Sequence, residues 1–155
     1  MSPVYSINDL INIAISIETR GISFYDVMAK STDNDEARDV FEELVEMERE
    51  HIDTFQDMFR VDVTSTLENT SYIKSLIDSA VFTDDLITSE LATQADSDIK
   101  ALELAISAEK DSILFYYEIR DHVPVELLPA INKVIAEEKS HLQKLSEIKN
   151  KLATR

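Results

Sequence analysis

The 155-residue chain has no cysteine, one glycine and three prolines. The missing cysteine excludes structural disulfides, zinc knuckles, thiolate-held iron–sulfur clusters and thiol catalysis. It also leaves no trace of the redox compartment. The shortage of glycine and proline excludes most β architectures, which need turn residues every 8–12 positions. It equally disfavours doubly wound α/β folds with glycine-rich turns. No apolar run approaches the roughly 18 residues that span a bilayer. The N-terminus lacks a basic leader, so no secretory signal is expected and the expected location is the cytoplasm. Basic residues are scarce too: 15 against 31 acidic, a net charge of −16. That balance excludes a nucleic-acid footprint and docking on an anionic membrane, and favours a cationic partner.

What remains is the composition of an all-α, single-domain four-helix bundle. About two thirds of the unfolded surface is buried at this size. Helices are predicted over about 7–31, 35–59, 96–121 and 125–153. Ser6 is placed to cap the first, with Asp9 at its third position. Asp33-Asn34-Asp35 makes the turn into the second. Pro124 stops the third, and Pro129 lies early in the fourth. The long crossover, about 60–95, is rich in Ser, Thr and Asp, with one short amphipathic piece at Tyr72–Phe82 expected to form a short helix. Short links within each helix pair and a long one between pairs suit two antiparallel hairpins joined by a crossover.

The hairpins are copies of one another. Ala14-Ile15-Ser16-Ile17-Glu18 returns as Ala105-Ile106-Ser107-Ala108-Glu109, followed by Ile22/Ile113, Phe24/Phe115 and Tyr25/Tyr116. On the second and fourth helices Val45/Ile135, Glu48/Glu138, His51/His141 and Phe55/Leu145 match at offset 90. A duplicated hairpin packs around a pseudo-twofold axis, and anything on that axis receives matched residues from both halves.

Polar residues interrupt each apolar stripe. Glu48 and His51 fall between Phe41, Leu44, Val45 and Ile52, Phe55, Phe59. Glu138 and His141 fall between Ile131, Val134, Ile135 and Leu142, Leu145, Ile148. Glu18 and Glu109 interrupt the first and third helices in the same way. One Glu-x-x-His in an acid-rich helix is commonly solvated, as Glu42, Glu43, Glu46, Glu50 and Glu137 are read to be. Two copies at matched offset, each preceded by a Glu 30 or 29 residues earlier, are a different matter. Four buried carboxylates would repel one another and raise each other's pKa. Two divalent cations neutralise them. A Glu from each of two helices and Glu-x-x-His from each of the others is the di-iron or di-manganese carboxylate pattern, and mixed oxygen and imidazole donors suit those metals.

On Glu18, Glu48-Arg49-Glu50-His51, Glu109 and Glu138-Lys139-Ser140-His141, the chain resembles the ferritin-like superfamily, and within it the rubrerythrin-type di-iron domains. The resemblance implies two Fe ions (Mn as the alternative) bridged by Glu48 and Glu138. Glu18 and Glu109 are then terminal carboxylates, and His51 and His141 bind one metal each. It implies oxidation of Fe²⁺ with reduction of O₂ or H₂O₂, a chemistry of oxidative-stress defence. Tyr25 and Tyr116, seven residues after each terminal Glu, also match the family. They are read as core tyrosines that hydrogen-bond a carboxylate, or as a local reductant or proton donor. Rubrerythrins typically carry a four-cysteine rubredoxin module. Without cysteine, electrons here must come from an external reductant such as a rubredoxin-like carrier, or from Fe²⁺ itself. Rubrerythrins also place an extra Glu three residues after the third-helix ligand; here that residue is Ser112.

Smaller features complete the reading. Gly21 serves close helix packing or leaves room beside the metals. His122 complements the end of the third helix and is no ligand. A second apolar flank, Ile13, Ile17 and Phe24 with Leu104, Ala108 and Phe115, either packs the first helix on the third or forms a homodimer face. The competing functions are iron binding or storage without turnover, and a metal-free structural bundle whose inward Glu and His are merely paired.

Overall fold

The computed structural model describes residues 6–59, 70–78 and 98–154. These form five α-helices and one short 3₁₀ turn: α1 (Ile7–Ser31), α2 (Asp35–Asp57), α3 (Thr70–Asp78), α4 (Asp98–His122), the 3₁₀ turn Val125–Leu127 and α5 (Leu128–Ala153). No strand occurs among the described residues, and no helix there is long and apolar enough to cross a membrane.

The helix ends follow from local chemistry. Ser6 Oγ accepts from the Asp9 amide at 3.1 Å, and Asp9 Oδ2 accepts from the Ser6 amide at 2.8 Å. This reciprocal capping box satisfies donors that the first turn leaves free. Asn34 Oδ1 accepts from the Ala37 amide at 2.8 Å and starts α2. At the same corner Arg38 donates to the Thr32 carbonyl, 2.7 Å, so the end of α1 is tied to the start of α2. Thr32 Oγ1 in turn donates to Asp98 Oδ2 at 2.9 Å, linking this corner to the start of α4.

Three boundaries differ from the sequence reading. Helix α2 ends at Asp57, not 59, and Phe59 lies beyond it, exposed rather than on the apolar stripe. Residues 125–127 form a 3₁₀ turn ahead of α5, because Pro124 and Pro129 bracket the entry and Pro129 falls in the first turn of the α-helix. The amphipathic piece predicted over 72–82 is helical from Thr70 to Asp78, and its remainder lies outside the described residues. Position 96, where the third helix was expected to begin, lies outside them as well.

The bundle is antiparallel across both interfaces. Tyr25 of α1 meets Glu109 of α4, and Tyr116 meets Glu18. Lys144 of α5 pairs with Glu43 of α2, and Lys151 with Glu36. Helix α3 packs on α4 through the fully buried Ile73. The second apolar flank packs within the chain: Ile17, Phe24, Ala108 and Phe115 are buried, with Ile13 and Leu104 partly buried against the same core.

Two aromatic pairs enclose the middle of the bundle. Tyr25 stacks on Phe41, with ring centres 6.1 Å apart, and Tyr116 packs on Phe55 at 5.1 Å. On α2 Phe41 lies two turns before Glu48, and Phe55 one turn after His51. The polar layer is thus closed by aromatic rings at both ends.

Candidate metal centre

Each helix of the bundle delivers one or two of the candidate ligands from its buried stripe. The i, i+3 spacing puts Glu48 with His51 on one face of α2, and Glu138 with His141 on one face of α5. Glu18 and Glu109 project from α1 and α4. All six side chains are buried, between 1 % and 4 % exposed. Their donor atoms form two overlapping sets, Glu18–Glu48–His51–Glu138 and Glu48–Glu109–Glu138–His141. Within each set the atoms lie within 4.8 Å of one another. Glu48 and Glu138 belong to both, which is the placement a bridging carboxylate needs.

The histidines meet at the centre. Their rings are 5.6 Å apart and inclined by 26°. His51 Nδ1 lies 3.0 Å from Glu138 Oε1 and 3.5 Å from Glu18 Oε1. His141 Nδ1 lies 3.5 Å from Glu48 and Glu138, and 4.0 Å from Glu109. Despite this proximity neither Nδ1 is aligned for a hydrogen bond. Glu18 Oε2, Glu48 Oε1, Glu109 Oε2 and both oxygens of Glu138 also lack a hydrogen-bond partner. Buried polar atoms without partners are rare and costly. Here they converge on one interior volume and are the atoms that would coordinate metal. Four carboxylates and two neutral imidazoles balance two divalent cations, so the residues present fit such a pair.

The electrostatics of the cluster point the same way. Burial pushes the carboxyl of Glu109 well above the ordinary range, with the charge of Glu138 adding to it. Glu138 is raised by burial and then by the charge of Glu18. For His51, burial favours the neutral ring, but the Glu18 and Glu137 carboxylates outweigh it and the pKa rises. His141 is lowered, chiefly by burial.

The tyrosines bond a carboxylate, but not that of their own helix. Tyr25 Oη donates to Glu109 Oε1 at 2.5 Å, and Tyr116 Oη donates to Glu18 Oε1 at 2.5 Å. Burial first, then the surrounding carboxylates, hold both phenols well above their ordinary pKa, so they keep their protons and donate. Glu109 and Glu18 are thereby each oriented by the opposite hairpin.

Ser112 is buried and donates to the Ala108 carbonyl at 3.0 Å, so its hydroxyl turns onto its own helix. Gly21, its repeat mate, is buried at the α1 interface. His122 closes α4 beside Glu118, 3.3 Å away, and takes no part in the cluster. Glu137 departs from the sequence reading: it is only partly exposed, and its Oε2 lies 2.7 Å from His51 Nε2. Its signal is the charge mismatch directly before the shared glutamates: Met47 precedes Glu48, whereas Glu137 precedes Glu138.

Comparison with known proteins agrees with this geometry. The family model for rubrerythrin matches residues 9–149. A solved Thermotoga maritima structure, described as a ferritin-like diiron-carboxylate protein, is similar at 30 % identity. That match covers 95 % of this chain and 96 % of the other, with a TM-score of 0.71. The dodecameric thioferritin of Bacteroides fragilis, a bacterioferritin-related protein, shares the fold at 21 % identity and a TM-score of 0.72. There the match covers 96 % of this chain and 86 % of the other. No protein of curated function matches.

Proposed function

The chain belongs to the rubrerythrin family, and from that premise we propose that it is a non-haem di-iron oxidoreductase, oxidising Fe²⁺ while reducing H₂O₂ or O₂ to water. The observation that carries the reading is the convergence of partnerless carboxylate and imidazole atoms into two sets sharing Glu48 and Glu138. Glu18, Glu48, His51 and Glu138 would hold one ion, and Glu48, Glu109, Glu138 and His141 the other. When bound, the iron pair supplies two electrons and Lewis acidity.

The chain's own residues supply the rest. Glu48 and Glu138 belong to both donor sets and would hold the ions side by side. Tyr25 and Tyr116 keep a proton on each phenolic oxygen and fix the orientation of Glu109 and Glu18. The Tyr25–Phe41 and Tyr116–Phe55 pairs keep bulk water from both ends of the polar layer. Reduction of one H₂O₂ to two waters takes two electrons, which a bound iron pair would supply, and two protons, which solvent would supply. These 155 residues hold no cysteine to ligate a further iron, and the donor proposed for refilling is a carrier of the rubredoxin type or fresh Fe²⁺.

Stopped-flow mixing of anaerobically reduced, iron-loaded protein with excess H₂O₂ tests this. The expected result is a burst consuming about one H₂O₂ per di-iron site, with turnover resuming only when a reduced carrier is added. Iron that binds but does not react with either oxidant would instead establish iron binding without turnover.

A further inference from the structure

The two halves agree at all six Glu and His positions, and an immediate neighbour breaks the symmetry. Position 137, directly before Glu138, is Glu; its mate at offset 90, directly before Glu48, is Met47. Glu137 Oε2 sits 2.7 Å from His51 Nε2, on the side of the ring away from the cluster. Its other oxygen lies 3.8 Å from Lys133 Nζ, one turn earlier on α5. A carboxylate acceptor there holds the ring proton on Nε2 and leaves the Nδ1 lone pair for the cluster. His141 lacks this support. Its Nε2 is buried with no hydrogen-bond partner among the described residues, and Met47 offers no oxygen.

We propose that Glu137 is a positioning residue that makes the two metal subsites unequal, so that a divalent cation fills the His51 side before the His141 side. The proposal rests on the di-metal reading above and concerns the order of filling. On His51, the hydrogen bond fixes the tautomer and the ring plane and strengthens Nδ1 as a donor. Partners of this kind change metal affinity by about 10–100-fold. On His141, a cation at Nδ1 requires the ring proton at Nε2, where it stays buried without an acceptor. Mutual repulsion between two cations would by itself separate two binding steps. The identity of the first-filled subsite is therefore the diagnostic, not the number of steps.

Anomalous diffraction from crystals loaded anaerobically with one equivalent of Fe²⁺ per chain reads that identity directly. Wild-type protein should show iron on the His51 side in about tenfold excess or more. Glu137→Met, which copies the mate, should level the two occupancies. Glu137→Gln, which keeps an acceptor oxygen, should preserve most of the preference. Met47→Glu should level the occupancies from the other direction. Equal occupancy in the wild type overturns the inference, as does a preference unchanged in both Glu137→Met and Met47→Glu; two irons at saturation would still leave the di-metal reading standing. Failure to bind two irons at saturation refutes that reading and the inference with it.

Discussion

Replacing Tyr116 by Phe removes one hydroxyl and almost nothing else, which makes it a sharp probe of the polar layer. The lost contact is the 2.5 Å bond to Glu18 Oε1. Glu18 Oε2 already lacks a hydrogen-bond partner, so in metal-free protein the substitution strips the buried carboxylate of its hydrogen bonds. Hydrogen bonds to charged groups contribute about 1.5–3 kcal/mol. At this chain length 1 kcal/mol moves the melting temperature by roughly 2–4 °C. Metal-free Tyr116→Phe should therefore melt about 3–12 °C below metal-free wild type. With Fe²⁺ bound anaerobically the gap should narrow, because the cation compensates the Glu18 charge. The assay is thermal unfolding followed by circular dichroism, with and without metal, for both proteins. Identical metal-free melting temperatures, or a gap that widens on adding Fe²⁺, would refute the reasoning.

Three further outcomes follow from the same cluster. The raised Glu109 and Glu138 carboxyls mean that the metal-free folded state binds more protons than the unfolded chain above the ordinary carboxylate range. Its stability is then fullest below that range and falls as pH rises through the raised values. Melting temperatures of metal-free protein between about pH 5 and pH 8 should decline, and metal-loaded protein should not share the decline. Glu18→Gln removes the carboxylate whose charge raises Glu138, so it should raise the metal-free melting temperature while weakening Fe²⁺ binding; an unchanged melting temperature together with wild-type stoichiometry would contradict the electrostatic reasoning. Ser112→Ala should leave iron stoichiometry intact, since the hydroxyl is committed to the Ala108 carbonyl, and a lost iron on elemental analysis would show otherwise.

Much of this architecture was legible in the sequence because helical periodicity makes exceptions visible. Glu48, His51, Glu138 and His141 interrupt otherwise apolar stripes, and the repeat placed their partners Glu18 and Glu109. Ser6 and Asp9 announced their capping box because both partners are local in sequence. What stayed hidden depends on which helix faces which. Tyr25 lies two turns from Glu18 on the same helix, yet its hydroxyl reaches Glu109, because antiparallel packing brings the opposite hairpin closer than the next turn. Glu137 looked solvated because Lys133 sits one turn away at ion-pair spacing; only the approach of α2 puts His51 Nε2 against it. The entry to α5 was misplaced by three residues because two prolines five positions apart allow several turn geometries, and packing of the buried Leu127 selects one.

The central claim is that six buried residues form one two-metal site. Elemental analysis after saturation with Fe²⁺ under anaerobic conditions tests it most directly, on wild type beside Glu138→Ala. Wild type should hold two irons per chain. The variant should lose both, because Glu138 belongs to both donor sets. One iron or none in the wild type, or loss of a single iron on removing Glu138, would contradict it.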